Sequence, residues 1–171
     1  MTQTGNETAG TRRFTIARDF PAPREAVFAA WTDGDALVRW WGPKGMTLEV
    51  LTADIRTGGT FHYSMQADGQ PKMWGRLVYR EVTPPERIVL VNSFADAEGN
   101  VAPMPYLEGF PAELIYTVTF VEAAGRTTVA IDAAPLNPTA AEQAVFESLL
   151  PSMHGGFGNA LDQLAAHLVA R

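Results

Sequence analysis

The chain has 171 residues, a net charge of −6 and a pI near 5.0, which argues against nucleic acid and anionic membrane surfaces as partners, because both attract positive patches. It contains no cysteine, which excludes a disulfide framework and a thiolate metal site, and its length suffices to bury roughly 70% of the unfolded surface. No later segment approaches ~18 uninterrupted apolar residues, and residues 1–10 are polar with no signal-type apolar run, so the expectation is a disordered tail on a soluble, cytoplasmic protein.

Residues 11–171 are expected to form one domain, since no linker or internal repeat interrupts them. Phe14, Ile16 and Phe20 share one face of a strand running from Thr11 to Phe20. Pro23 suits the first turn of a helix reaching Thr32, with Val27, Phe28 and Trp31 on one face. Asp33-Gly34-Asp35 makes a turn with Asp35 as the expected cap of a second helix, whose stripe is Leu37, Trp40 and Trp41 and whose stop is Gly42-Pro43. Adjacent tryptophans on a helix point about 100° apart, so one packs inward and the other helps close an end of the fold.

Further strands are predicted from Met46 to Ile55, Thr60 to Ala67, Met73 to Val82, Arg87 to Phe94, Glu113 to Glu122 and Thr127 to Ala133. Short turns such as Thr57-Gly58-Gly59 and Asp68-Gly69-Gln70 make neighbours antiparallel, giving a meander with one interruption at residues 95–111. That interruption carries Met104, Tyr106, Leu107 and Phe110, too apolar for an ordinary solvated loop. It reads as a lid over a cavity mouth, as a homodimer contact, or as a loop folded flat against the sheet.

Thr139 and Glu142 form a capping box that opens a helix through about Leu149. After Pro151, a stripe of Met153, Phe157, Leu161, Leu164 and Leu168 predicts one long helix. Gly155, Gly156 and Gly158 lie in its first turns, where each costs about 1 kcal/mol relative to alanine. Either the helix proper starts at Asn159, or Gly156 and Ala160 leave room between helix and sheet.

This order of elements, with FPAPREAVFAAWTD, WWGPKG, DIRTGG, EVTPPERIV and LDQLAAHL, resembles the activator-of-Hsp90-ATPase-homologue-like branch of the START/Bet v 1 (SRPBCC) superfamily over about Arg12 to Val169. The resemblance implies an α+β helix-grip fold. A curved seven-stranded antiparallel sheet would surround a long C-terminal helix, with two short helices after the first strand and a mainly apolar cavity between sheet and helix.

Alternation names the candidate lining. Phe61, Tyr63 and Met65 share one strand face, and Leu114, Tyr116, Val118 and Phe120 share another; Met153 and Phe157 face them from the helix. The same residues serve equally to pack a core. Tyr63, Tyr116 and Trp74 stand out, because a buried ring with one polar atom needs a hydrogen-bond partner, supplied by a ligand or by a neighbouring carbonyl. Phe157→Asp is expected to put a charge into the sheet–helix interface and to cost several kcal/mol.

Catalytic motifs are sparse. The chain has no Gly-x-Ser-x-Gly elbow, no His-Glu-x-x-His helix and no Walker loop, and Gly156-Phe157-Gly158 lacks the third glycine of a dinucleotide site. His62, His154 and His167 do not share a helical metal-pair spacing, so neither a metal nor a cofactor is expected. His62 is expected to face solvent and His167 to sit at a helix C-terminus, while His154, beside the apolar stripe, and Glu113 are the acid–base candidates. Asp54 and Asp132, with Arg56 as counter-charge, are further carboxylates to place.

Three functions follow in order. The first is binding of a small hydrophobic or aromatic molecule in the helix-grip cavity. The second is a cyclase, dehydratase or hydrolase using that cavity. The third is an Hsp90 co-chaperone, an activity that in the eukaryotic activators relies on an additional N-terminal domain, whereas about ten polar residues precede the first strand here.

Overall fold

A computed structural model describes residues 11–170; the expected tail at residues 1–10 lies outside the described residues. The elements follow the predicted order. Strand β1 (Phe14–Phe20) leads into helices α1 (Arg24–Thr32) and α2 (Gly34–Trp40), then β2 (Thr47–Ala53), β3 (Thr60–Gln66), β4 (Met73–Thr83) and β5 (Arg87–Ala95). A two-residue strand β6 (Val101–Ala102) precedes β7 (Glu113–Ala123), β8 (Arg126–Pro135), α3 (Ala140–Ser148) and α4 (Leu150–Val169).

The sheet order is β1-β8-β7-β5-β4-β3-β2, antiparallel throughout, so the last two strands return beside the first. The eighth strand is a departure from the seven predicted. Pairing between β5 and β7 ends at Ser93 and Glu113, which leaves Phe94 and Ala95 open to pair with Ala102 and Val101. Register irregularities in β2 and β4 add bend to a sheet that must curve around a helix.

Local chemistry explains the helices. Asp33, not Asp35, caps α2: its carboxylate accepts the Asp35 amide at 2.9 Å, since the cap lies outside the first turn and Asp35 already lies within it. The Thr139–Glu142 capping box is complete, with both reciprocal bonds made. Helix α4 runs unbroken through its glycines, so the alternative start at Asn159 does not hold.

The concave face gathers Phe20, Val27, Phe28, Trp31, Phe120 and Val129 under the second half of α4, where Leu161 and Leu164 are fully buried. Trp40 points into this core and donates its indole N–H to the Ala30 carbonyl at 2.9 Å, while Trp41 is half-buried beside it. Burial of this apolar surface is the main stabilising force. On the convex face His62 is buried, not solvated. The Asp96–Asn100 turn folds over it, and its Nε2 lies 3.0 Å from the Asp96 carbonyl oxygen. Asp96 holds that turn by accepting the Asn100 and Glu98 amides, and these bonds, the Asn100 amide first, keep its carboxyl below the usual range.

Candidate functional site

Under the first half of α4 the helix stands off from the sheet. A cavity of about 300 Å³ remains there, bordered by Tyr63 and Met65 of β3, Asn92, Ser93 and Phe94 of β5, Leu114 and Tyr116 of β7, and Met153, Gly156, Phe157 and Ala160 of α4. Trp41, Gly42 and Pro43 border one side, and Met104, Phe110, Pro111 and Ala112 the other. Pro43, Ala112 and Gly156 are exposed and mark the mouth.

Glycines make this space. Gly156 borders the mouth, and a Cβ built on it would meet no atom within 4 Å, so a larger side chain there has room to enter the cavity. Gly75 acts from the opposite wall: in β4 it stands across from Tyr63, and a Cβ there would lie 2.5 Å from the phenol oxygen. The ring of Tyr63 therefore lies over a strand with no side chain at that point, and it stacks on Phe61 with centroids 5.2 Å apart.

The polar atoms of the wall are few. The Trp41 indole N–H donates to the Tyr63 hydroxyl oxygen at 3.0 Å, and the Asn92 amide donates to the Tyr116 hydroxyl oxygen at 3.0 Å. Burial pushes the Tyr63 phenol up from 10.0 to about 12, the Trp41 bond opposing it in part. Tyr116 and Tyr79 are raised by the same cause, each with a further push from nearby Tyr63, and at Tyr116 the Asn92 bond opposes it in part. A phenol raised in the folded state stabilises the fold while neutral. That contribution is intact below pH about 10 and is lost as pH rises through about 12. The expected result is alkaline unfolding between those limits that tracks phenolate absorbance, and Tyr63→Phe should shift its midpoint upward.

The predicted site residues divide. Tyr63, Met65, Leu114, Tyr116, Met153 and Phe157 border the cavity. Phe61 and Val118 share their strand faces but lie in the closed core, fully buried. Trp74 is a correction: in β4 the inward positions are Gly75, Leu77 and Tyr79, so Trp74 points to the convex face. In the loop, Met104 and Phe110 border the cavity; Leu107 is half-buried away from it, and Tyr106 is 88% exposed with φ at 65°.

The acid–base candidates lie elsewhere. His154 is exposed and packs on Phe14, ring centroids 4.7 Å apart, because its position on α4 turns it toward β1. Glu113 pairs with Ser93 at the strand end, off the wall, since Leu114 takes the inward position. Asp54 bonds Arg56 at 2.8 Å and Asp132 bonds Arg13 at 2.7 Å, both outside the cavity. Among the described residues no group of three His, Asp or Glu is placed to hold a metal ion, and no helix is long and apolar enough to cross a membrane. Sequence reasoning missed Asn92, Phe94 and Pro111; Asn92, polar on the face of Leu90, carried the readable signal.

Comparison with known proteins places this architecture. The chain is similar to a protein of Arthrobacter aurescens solved in solution, at 26% identity over 93% of this chain and 87% of that one, TM-score 0.77. It is similar to a crystallised protein of Mycobacterium smegmatis at 26% identity over 94% and 92%, TM-score 0.73. A protein in the dynemicin biosynthetic locus shares the fold at 20% identity and TM-score 0.63, with 91% of this chain covering 46% of that longer one. No curated protein sequence matches. The sequence profile described as Activator of Hsp90 ATPase homolog 1-like protein matches residues 21–169, and the chain, with its helix-grip fold, belongs to that family.

Proposed function

We propose that the protein binds a small, neutral, apolar or aromatic molecule in the cavity beneath α4. One observation carries this reading: the wall combines apolar side chains with a few neutral polar ones, Tyr63, Tyr116, Asn92, Ser93 and the Trp41 indole, and none of its residues is Asp, Glu, Lys, Arg or His. A charged guest would lose its hydration with no counter-ion in return, whereas an apolar guest gains by leaving water. At about 300 Å³ the cavity sits at the lower end of the usual range for small-molecule sites, which suits a guest of roughly two or three fused rings. Family membership supports the same reading through its fold, and the proton-transfer candidates His154 and Glu113 stand off the wall.

The test uses N-phenyl-1-naphthylamine, a neutral fluorophore. Its emission should rise to saturation at one site per chain and quench Trp41, with an affinity unchanged between low and high salt. Absence of saturable binding would sink the proposal, as would steep salt dependence.

A further inference from the structure

The cavity wall contains hydrogen-bond donors whose protons are not used within the protein. An indole nitrogen can only donate, so in the Trp41–Tyr63 bond the phenol oxygen is the acceptor. The Tyr63 proton then has no acceptor among the described residues, although the side chain is only 4% exposed. Tyr116, 3% exposed, repeats the pattern with Asn92 as donor. If the amide is turned the other way, Tyr116 donates to it and the amide N–H is left over instead, so the pair keeps an unused donor in either orientation.

Both donors flank one side chain. Trp41 bonds Tyr63 directly, and its ring lies 6.4 Å from that of Tyr116. Both phenols are protonated at neutral pH, as ordinary tyrosines are, and burial pushes them further from ionisation, so they present O–H groups and not oxyanions. A buried donor without an acceptor costs stability, and water or a guest must supply the acceptor.

We infer that the guest is an apolar or aromatic ketone or quinone, seated with its carbonyl oxygen accepting from Tyr63, Tyr116 or both while its hydrocarbon body lies against Phe94, Leu114, Met153 and Phe157. This inference rests on the binding function proposed above. A carbonyl oxygen has two lone pairs and carries no proton of its own, so it matches a wall that offers donors. A hydroxyl guest brings a proton that needs an acceptor of its own, for which the wall's free side-chain oxygens are those of Asn92 and Ser93, whereas a carbonyl brings none. Since the wall holds no group that is a base at neutral pH, the ketone is held and not enolised.

The experiment compares 2-acetylnaphthalene with 2-isopropylnaphthalene, which has a similar shape but no acceptor. For wild-type protein, Tyr63→Phe and Tyr116→Phe, the quantity read is the ratio of the two dissociation constants, which cancels general loss of packing. The preference for the ketone should fall about 3- to 12-fold in at least one variant, the worth of a neutral hydrogen bond. Independently of any variant, the carbonyl stretch of bound 2-acetylnaphthalene should lie below its position in hexane. Equal ratios in all three proteins, or an unshifted stretch, overturn the inference while leaving apolar binding intact. Binding of neither probe overturns both.

Discussion

In Gly156→Leu protein, ligand binding should disappear while the fold becomes more stable by about 1 kcal/mol. Glycine inside a helix is unfavourable through its backbone entropy, and any unbranched or γ-branched residue at that position relieves the cost. Usually such a gain is offset by a clash, but a Cβ at Gly156 meets nothing within 4 Å. A leucine side chain leans toward the N-terminal end of its helix, here toward Met153 one turn earlier, and so occupies the cavity. Gly155→Ala is the matched control. Its Cβ also meets nothing, but Gly155 does not border the cavity, so stability should rise without loss of binding. Denaturant unfolding and titration with N-phenyl-1-naphthylamine read both quantities. Undiminished binding in Gly156→Leu would show that the guest sits elsewhere.

Leu161→Asp should destabilise the fold severely, by about 4 kcal/mol or more, whereas Phe157→Asp should weaken it less. Leu161 is 0% exposed beneath the second half of α4, and a carboxylate there has no partner and no water. A cost of about 4 kcal/mol or more removes most of the stability of a domain at the lower end of the ordinary range of roughly 5–15 kcal/mol. Phe157 is half-buried on the cavity wall, where a carboxylate reaches the mouth; what is lost is ring packing against Phe14 and Tyr116, about 1–3 kcal/mol. The sequence pattern alone places both on one stripe and expects several kcal/mol at Phe157. Thermal melting distinguishes the cases, and a cooperative, near-native melt for Leu161→Asp would contradict the packing described here.

Much of the fold was legible because it is written in local chemistry. Pro23 at a helix start, Thr139 with Glu142 at another, and the four-, four-, three- and four-residue spacing from Met153 to Leu168 each have one physical meaning. The cavity was less legible for a geometric reason. Alternation says that Phe61, Tyr63 and Met65 share a face, yet whether a position meets closed core or open space depends on how far α4 stands from the sheet at that point. Phe61 lies on the closed side of that boundary and Tyr63 on the open side. Trp74 shows a different failure. Its ring with one polar atom suggests a place on the cavity wall, but Leu77 and Tyr79 fix the parity of β4, and the inward residue is the glycine beside it. His62 was misjudged because a turn 34 residues later in the chain covers it, which no local pattern reveals.

Helix α4 is two segments in mechanical terms. Its second half is fastened: Leu161 and Leu164 lock into the core, Asp162 pairs with Arg18 of β1, and the Gln163 amide donates to the Gly42 carbonyl at 3.0 Å. Its first half is held by Leu150 and by the rings of His154 and Phe157, but three glycines in four residues lower its intrinsic helix propensity there. Amide hydrogen exchange should accordingly be faster across residues 155–158 than across residues 161–168, and equal protection in both stretches would contradict this division.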